Sequence, residues 1–283
     1  MKLLIIGSSS YLGARVYEDL KKDFEILGTY HRQRLFAEQV KFDLSDPIGI
    51  SAILEKSKPE AIVHVGGLPF KQCKENEKLA YEINVRATEQ IVKEANKAGA
   101  KIIYMSTIMA ENALDVYGKT KLEAEKCVAN TDAGYLILRG ALAVGQSPNT
   151  TAEKYYNKLL RNVIEKTPPV YDNSALTQVT WLGSVSEIIR LSVEKDIFNQ
   201  TVPVITEEKK TRFEIANDLL KEFGILCKPS IGTGYVEEFY YTTQKLMELE
   251  LPVYSYNQIV RRTIDEMRSW LESARLVKGQ KEV

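Results

Sequence analysis

The residues of this chain best suited to do chemistry are a tyrosine and a lysine four positions apart, Tyr117 and Lys121. Residues at this spacing share one face of a helix, and the composition from about Val116 onwards favours a helix. A lysine ammonium beside a phenol stabilises the phenolate, so Lys121 is expected to lower the pKa of Tyr117. The phenol could then exchange a proton near neutral pH, as a general acid does.

The same spacing occurs in two other places, Tyr17/Lys21 and Tyr241/Lys245. The middle copy differs because it follows an apolar run that predicts a buried strand and ends in Ser106-Thr107. Ligands of open parallel sheets bind beyond the carboxyl ends of the strands, where a hydroxyl could hydrogen-bond a substrate carbonyl. We therefore interpret the middle copy as catalytic and the other two as solvated helix faces.

A glycine-rich turn near the N-terminus predicts a phosphate site. The apolar run Lys2 to Ile6 is typical of a central parallel strand, and it leads through Gly7-Ser8-Ser9-Ser10-Tyr11-Leu12-Gly13 into a helix. Backbone N–H groups and the helix dipole converge at such a turn, which suits the diphosphate of a dinucleotide. Ser10 stands where the middle glycine of Gly-x-x-Gly-x-x-Gly is expected, so a plain tight turn is the alternative.

The segment after the second predicted strand bears on the choice of cofactor. Dinucleotide folds selective for NAD carry an acid about twenty residues after the glycines, which binds the ribose hydroxyls. No acid lies between Glu25 and Glu38, whereas Arg32, with Arg34 nearby, could pair with a 2′-phosphate. We therefore expect NADP(H) rather than NAD(H), the alternative being that both arginines are solvated. Gly66, after the fourth predicted strand, would let a cofactor approach closely.

Alternating strands and helices predict an α/β fold with a Rossmann-like, doubly wound parallel sheet. We assign residues 1–145 to a dinucleotide-binding domain, to which 176–198 is expected to return. The rest is assigned to a smaller substrate-binding lobe over the carboxyl ends of the strands, residues 146–175 and 199–283.

Composition argues against several classes of protein. The 283 residues include 38 basic and 38 acidic side chains, and this zero net charge gives no sign of a nucleic-acid partner. No apolar stretch approaches the length that spans a bilayer, so no membrane partner is expected. Cys73, Cys127 and Cys227 lack metal spacing, which predicts reduced thiols, a cytoplasmic protein and no metal site.

Taken in order, these motifs resemble the extended short-chain dehydrogenases/reductases, in the branch that modifies sugar nucleotides. The likeness is carried by GSSSYLG after the first strand, FDLSD after the third, Asn84 in INVRAT, Ser106-Thr107, YGKTK from Tyr117, and LRGALAVG from Leu138. It covers residues 1–145 well and the remainder loosely. Within the family the chain looks most like the dTDP-4-dehydrorhamnose reductases.

The resemblance implies roles for individual residues. Thr107 would hydrogen-bond the substrate carbonyl, Tyr117 would donate the proton, and Lys121 would hold the nicotinamide ribose and tune Tyr117. The cofactor would also contact the glycine-rich turn and the end of the third strand, through Gly7, Ser10, Tyr11, Leu12, Gly13, Asp43 and Leu44.

The implied activity is that of an oxidoreductase: NADPH-dependent reduction of a keto group on a nucleotide-linked sugar. A sugar-nucleotide epimerase or dehydratase is one alternative, and a non-catalytic NADP-binding regulatory subunit is another. A nucleotide sugar is the implied substrate, and assembly as a homodimer is left open.

The chain departs from the family between Thr107 and Tyr117. Family members carry a longer loop there, rich in aromatic, Gly and Pro residues, which walls the sugar site, whereas only IMAENALDV intervenes here. We expect another part of the protein to exclude water from the site. The candidates are the second lobe, through its helix with Tyr155 and Tyr156, and a neighbouring subunit.

Overall fold

The computed structural model of this chain describes residues 1–232 and 241–279. In chain order its strands are β1 (Lys2–Ile6), β2 (Glu25–Tyr30), β3 (Val40–Lys41), β4 (Ala61–His64), β5 (Lys101–Thr107), β6 (Tyr135–Gly140), β7 (Leu142–Val144), β8 (Val170–Asp172), β9 (Leu176–Thr177), β10 (Val179–Trp181), β11 (Gln200–Val204), β12 (Lys210–Thr211) and β13 (Lys228–Ser230).

Its α-helices are α1 (Tyr11–Leu20), α2 (Pro47–Ser57), α3 (Phe70–Glu75), α4 (Glu77–Tyr81), α5 (Ala87–Ala98), α6 (Val116–Val128), α7 (Tyr155–Glu165), α8 (Leu182–Glu194), α9 (Arg212–Leu220), α10 (Gln244–Glu248) and α11 (Tyr256–Gly279). A π-helical turn, Glu82–Arg86, joins α4 to α5, and 3₁₀ turns follow β5 and α9, at Ile108–Ala110 and Lys221–Phe223. Among the described residues, none of the helices combines the length and apolar character needed to cross a membrane.

Seven parallel strands form the central sheet, in the order β11-β6-β5-β4-β1-β2-β3. The chain runs outward from β1 in one direction through β2 and β3, and in the other through β4, β5 and β6. Ligands of such sheets bind outside the carboxyl ends of the strands, where the order reverses. The predicted Rossmann-like, doubly wound α/β fold is confirmed.

Both faces of the sheet are covered by helices, because alternate residues of its strands point to opposite sides. Leu3 and Ile5 of β1 are buried on one face, in a core shared with α1 and α8. Leu4 and Ile6 are buried on the other face, in a core shared with α2, α5 and α6. Burial on both sides explains why these strands are continuous apolar runs in the sequence.

The last strand of the sheet differs from the predicted division of the chain. Residues 199–283 are predicted in the smaller lobe, yet β11 lies at the edge of the central sheet and pairs with β6, Gln200 opposite Leu136. Its apolar residues pack into the sheet core, which overrides the boundary drawn from sequence. Of the predicted lobe, residues 233–240 and 280–283 lie outside the described residues.

A third apolar core is built by α7, α9 and α11, with the short strands β7 and β10 beside it. Tyr156, Leu160, Leu219 and Met267 are among its buried residues. Tyr11, which follows β1 through the glycine-rich turn, is also buried in this core. The third core therefore adjoins the carboxyl edge of the sheet, where the candidate site lies.

Candidate functional site

The predicted site residues lie along the carboxyl edge of the sheet. Because the strands are parallel, their carboxyl ends meet there, and each carries a predicted residue: Gly7 after β1, Arg32 after β2, Asp43 and Leu44 after β3, Gly66 after β4, and Thr107 at the end of β5. Helix α6 begins nine residues after Thr107 and carries Tyr117 and Lys121 in its first two turns.

The glycine-rich turn is closely packed against the end of β1 and leads into α1. Gly7 has a φ of +87°, and a Cβ on Gly13 would lie 2.2 Å from the carbonyl oxygen of Gly7, so only glycine fits there. The side chain of Ser10 caps α1 by accepting a hydrogen bond from the N–H of Gly13 (3.0 Å). The N–H groups of Tyr11 and Leu12, in the same first turn, have no acceptor within the helix and can bind an anion.

The side chain of Tyr11 faces away from the predicted cofactor site. Its hydroxyl donates to the carbonyl oxygen of Gly145 at 2.5 Å. The segment 145–151 continues along the turn, since Ser147 Oγ donates to the carbonyl of Tyr11 (2.6 Å) and Asn149 Nδ2 donates to that of Ser9 (2.7 Å). Tyr11 could therefore contact a dinucleotide only through its backbone.

Two residues that sequence reasoning missed, Ser8 and Gln39, shape the loop beyond β2. Gln39 is buried, and its Oε1 accepts from the N–H groups of Leu35 and Phe36 (2.8 and 3.1 Å). Its Nε2 donates to Ser8 Oγ at 2.7 Å, which ties this loop to the glycine-rich turn. Nothing in the surrounding polar stretch distinguishes Gln39 from a surface residue.

Arg32 is exposed, and no ion pair or hydrogen bond holds its side chain within the described residues. Arg34 is exposed as well, but its Nε donates to the carbonyl of Phe36 at 3.1 Å. Between the two, Arg32 is better placed to meet a ligand phosphate.

Asp43 and Leu44 border the same edge from β3. Hydrogen bonds from the backbone and hydroxyl of Ser45 hold the pKa of the Asp43 carboxyl below its usual value. Leu44 lies beside Gly66, where a Cβ would come within 3.0 Å of Leu44 Cδ1. The absence of a side chain at Gly66 thus keeps this part of the edge open.

Thr107 and Tyr117 both present hydroxyl groups at the predicted reaction end of the edge, next to the end of β5. Thr107 is buried, and its oxygen accepts from the N–H of Met109 at 3.3 Å, which leaves its own proton for another acceptor. Tyr117 is half-buried, with Phe70 packed edge-on against its ring at 6.0 Å. None of the described residues hydrogen-bonds the Tyr117 hydroxyl.

The electrostatics of Tyr117 differ from the prediction. Burial raises the pKa of Tyr117 to about 12, with the Cys73 thiol and Asp115 adding to the effect, so the predicted lowering by Lys121 is wrong. The Nζ of Lys121 instead donates to the carbonyl of Met105 (2.7 Å) and lies 4.2 Å from the centre of the Tyr104 ring. Burial lowers the pKa of Lys121 to about 7, so the lysine is the group that titrates near neutral pH.

The prediction of solvated helix faces for the other two Tyr-x-x-x-Lys copies is wrong. Tyr17 is buried, stacked on Phe36 at 4.3 Å, and its hydroxyl donates to Glu38 (3.2 Å). Tyr241 precedes α10, and its hydroxyl contacts the segment between Thr107 and Tyr117. Periodicity could not show either contact, because the partners of both tyrosines are distant in the sequence.

Tyr155 and Tyr156, which we expected to help exclude water from the site, point into the second lobe. Tyr156 is fully buried in the third core, and its hydroxyl donates to Gln146 Oε1 at 3.1 Å. The hydroxyl of Tyr155 donates to the backbone carbonyl of Arg212. Their helix, α7, packs against α9, so its aromatic pair belongs to the interior of the second lobe.

Asn84, named in the family motif, connects two parts of the site. It is buried in the π-helical turn, a feature often found at functional sites. Its Oδ1 accepts from the N–H of Leu68 (2.7 Å), and its Nδ2 donates to Thr120 Oγ1 on α6 (3.1 Å). Asn84 thus fixes the loop after β4 against the helix that carries Tyr117.

A buried ion pair beneath the site was not predicted. Arg139, at the end of β6, donates from Nε and Nη2 to the two oxygens of Glu125 on α6, at 3.0 and 2.7 Å. Ser106, next to Thr107, donates to the same carboxylate. No sequence signal indicated this pair, since the spacing of Lys121 and Glu125 favours a contact between those two residues and not one with Arg139. Within the described residues, no cluster of His, Cys, Asp and Glu could hold a metal ion.

Curated proteins similar to this chain have different named functions. Methionine adenosyltransferase 2 subunit beta of Xenopus tropicalis is 31% identical over 160 residues, which are 51% of this chain and 47% of that protein. The chain therefore spans about half the length of this relative. GDP-6-deoxy-D-talose 4-dehydrogenase of Aggregatibacter actinomycetemcomitans is 24% identical over 260 residues, 82% of this chain and 81% of that protein.

Solved structures share the fold over nearly the whole chain. The Bordetella bronchiseptica enzyme WbmG in complex with NAD superimposes with a TM-score of 0.81 at 16% identity, covering 95% of this chain and 94% of that one. The dTDP-4-dehydrorhamnose reductase of Bacillus anthracis in complex with NADP has a TM-score of 0.79 at 17% identity, covering 94% and 98%.

A family model agrees with the motifs and with the geometry of the sheet edge. It is described as the RmlD substrate binding domain, and it matches residues 1–237. The resemblance to the dTDP-4-dehydrorhamnose reductases is confirmed, and this chain belongs to the RmlD substrate binding domain family.

Proposed function

We propose that this protein is an NADPH-dependent reductase that acts on a keto group of a nucleotide-linked sugar. The observation that carries the proposal is the arrangement at the end of β5. Thr107 and Tyr117 stand at the two ends of the segment 108–116, and each has a hydroxyl proton that no described residue accepts. A carbonyl oxygen bound there would receive a hydrogen bond from Thr107 and a proton from Tyr117.

The protonation state of Tyr117 fits the role of a proton donor in a reduction. Because its pKa is raised to about 12, the phenol carries its proton at neutral pH. Reduction of a carbonyl needs such a donor, whereas oxidation of a hydroxyl as the first step of epimerisation needs the phenolate as a base. Lys121, with a pKa lowered to about 7, can give up or take a proton near the same site.

The residues along the sheet edge fit a dinucleotide, because the tight packing of Gly13 against the carbonyl oxygen of Gly7 brings the start of α1 close to the end of β1. When bound, NADPH supplies the hydride for the carbonyl carbon. The N–H groups of Tyr11 and Leu12 would hold the diphosphate, and Arg32 would pair with the 2′-phosphate. Lys121 uses one of its three N–H donors on Met105, so others remain for the nicotinamide ribose.

The class of substrate rests on the relatives. GDP-6-deoxy-D-talose 4-dehydrogenase and dTDP-4-dehydrorhamnose reductase both carry a nucleotide-linked sugar in their names. The family match over residues 1–237 supports the same class here.

The test is steady-state NADPH oxidation with a panel of nucleotide-linked 4-keto-sugars. We expect oxidation with at least one member of the panel, and loss of that activity in Tyr117→Phe with NADPH binding retained. Tight binding of NADPH without oxidation for any sugar in the panel would contradict the proposal.

A non-catalytic regulatory subunit is the second candidate, because the relative that is 31% identical is a subunit of methionine adenosyltransferase. The short segment between Thr107 and Tyr117 also favours it, since the wall that relatives place over the sugar is reduced here. In this case the chain would bind NADP(H) at the same edge and act on a partner enzyme.

Amide exchange separates the two candidates. With NADPH and a nucleotide sugar, a reductase should show slower exchange in 108–116 as well as in the cofactor segments. A regulatory subunit should show protection near Gly7–Gly13, Arg32 and Asp43 alone. It should also change the rate of a methionine adenosyltransferase catalytic subunit added to the assay, which a reductase should leave unchanged.

A further inference from the structure

The segment 108–116 is short, strained and closely packed. Ala113 has a φ of +45°, a left-handed conformation that is unfavourable for a non-glycine residue. At the start of α6, a Cβ on Gly118 would lie 2.6 Å from the carbonyl oxygen of Met109. A strained segment persists only where its surroundings hold it, so contacts from outside must fix this one.

Tyr241 supplies such a contact from a distant part of the chain. Its hydroxyl lies 2.9 Å from the carbonyl oxygen of Ile108 and 2.8 Å from Glu111 Oε2, two acceptors that face its one proton. The same oxygen of Glu111 accepts from Arg139 Nη1. Two of the nine residues that separate Thr107 from Tyr117 are therefore bound by one tyrosine.

The position of Tyr241 is itself fixed by a buried glutamine. Gln178 is fully buried; its Nε2 donates to the carbonyl of Tyr241 at 2.8 Å, and its Oε1 accepts from the N–H of Tyr241 at 3.2 Å. The same Nε2 donates to the carbonyl of Thr206 at 2.7 Å. With both backbone groups bound, Tyr241 can hold the segment without moving with it.

From Glu111 the polar contacts continue towards Thr107, whose hydroxyl is proposed to bind the substrate carbonyl. Arg139 pairs with Glu111 on the segment and with Glu125 on α6, and Ser106 donates to Glu125. Ser106 precedes Thr107 in β5. One chain of polar contacts therefore joins Tyr241 to Ser106, the neighbour of Thr107, and to Glu125 on α6, the helix that carries Tyr117. Each hydrogen bond in such a network strengthens the others.

We propose that Tyr241, acting through Glu111 and Arg139, is a positioning residue that fixes the segment between Thr107 and Tyr117. The proposal rests on the reductase function proposed above. Relatives have a longer loop between these two positions. In this chain Tyr241, whose backbone is bound by Gln178, would instead hold the short segment in place. The helix with Tyr155 and Tyr156 has no part in this.

The first test removes the hydroxyl and needs no substrate. In Tyr241→Phe without ligands, amide exchange in 108–116 should speed up roughly three- to tenfold, as expected for the loss of one hydrogen bond that holds a local structure. Glu111→Gln, which weakens the same contact, should give a change in the same direction. Tyr254→Phe is the matched control, because its hydroxyl donates to Glu187 outside the segment, and it should leave 108–116 unchanged. Unchanged exchange in both test variants would overturn the proposal.

The second test asks whether the order serves the reaction. With a keto-sugar that the wild type reduces, Tyr241→Phe should lower kcat about tenfold, because misplacing Thr107 or Tyr117 slows the chemical step. The Kd for NADPH should stay within twofold, and Tyr254→Phe should match the wild type. Faster exchange with an unchanged kcat would overturn the positioning role. If the wild type reduces no keto-sugar, the reductase function fails, and the exchange experiment still decides whether Tyr241 holds the segment.

Discussion

The two ends of the sheet edge differ in how far their charged groups are buried: the predicted cofactor end, with Arg32 and Asp43, and the predicted reaction end, with Thr107 and Tyr117. Arg32 and Asp43, at the cofactor end, are exposed, so their charges are solvated and available to a ligand. Lys121, Glu125 and Arg139, at the reaction end, are largely buried. Exposed charges contribute little to stability, whereas buried charges depend strongly on their partners. At the first end, the exposed arginine and aspartate therefore keep their contact with water, whereas at the second end burial shifts the protonation of Lys121.

Burial also explains why the pKa of Tyr117 moves opposite to the prediction. Taking a phenol out of water disfavours the phenolate, and the same burial disfavours the ammonium of Lys121. His64, fully buried nearby, shows the same effect: burial lowers its pKa to about 3, and the charge of Lys121 adds to this. Desolvation at this end thus outweighs the pairing of Tyr117 with Lys121 that the spacing suggested.

The difference between the two ends can be tested by substitution, and we expect the largest effect, on turnover, at the predicted reaction end. Tyr117→Phe removes the proton donor and should lower turnover by about two to four orders of magnitude, with cofactor affinity nearly unchanged. Kinetics with a reduced keto-sugar and NADPH titration measure the two quantities. Tyr17→Phe is the control, since Tyr17 also stands four residues before a lysine. A similar loss of turnover in the control would show that the choice of Tyr117 is wrong.

Breaking the buried ion pair should cost stability that an exposed pair does not provide. Arg139→Met leaves the Glu125 carboxylate buried without a cation, and we expect the free energy of unfolding to fall by about 3–5 kcal/mol. The exposed pair of Arg161 and Glu153 is the control, where Arg161→Met should cost under about 1 kcal/mol. Urea unfolding measures both. Equal losses in the two variants would mean that burial does not distinguish the two pairs.

The pKa of Lys121 predicts how stability changes with pH. Between about pH 7 and 10.5 the unfolded chain holds a proton on Lys121 that the folded chain has lost, so burial of this lysine destabilises the fold less as pH rises. The difference in unfolding free energy, wild type minus Lys121→Met, should increase by about 4 kcal/mol across this window. Urea unfolding at several pH values measures it, with Lys119→Met on the exposed side of α6 as the control. A flat difference would show that Lys121 is charged in the fold.

The smallest of these effects is expected at the cofactor end. If Arg32 pairs with a 2′-phosphate, Arg32→Ala should narrow the preference for NADPH over NADH by about ten- to a hundredfold, or about 1.5–3 kcal/mol. Arg34→Ala should narrow it less, because Arg34 is bound to the carbonyl of Phe36. Calorimetric titration of both cofactors gives the ratio. Equal dissociation constants in the wild type would reject NADP(H) selectivity at this position.

Local sequence determined the strands, the turn and the helix on which the candidate site residues lie. The strands could be predicted from continuous apolar runs, because both faces of the sheet are covered by helices. The glycine-rich turn could be predicted because its close packing admits only glycine at Gly13. The placement of Tyr117 and Lys121 on one helix followed from the helical repeat. These features depend on neighbours in sequence, so they could be predicted from it.

Only the tertiary structure decided the protonation states of these residues and the contacts that hold them. Whether a phenol or an ammonium is charged depends on how much water the whole fold removes, and no spacing reports that. The contact of Tyr241 with Glu111 joins residues 130 positions apart, and β11 entered the sheet because its apolar face fits beside β6. The sequence therefore specified which groups stand at the sheet edge, while packing of distant segments set their protonation and held them in place.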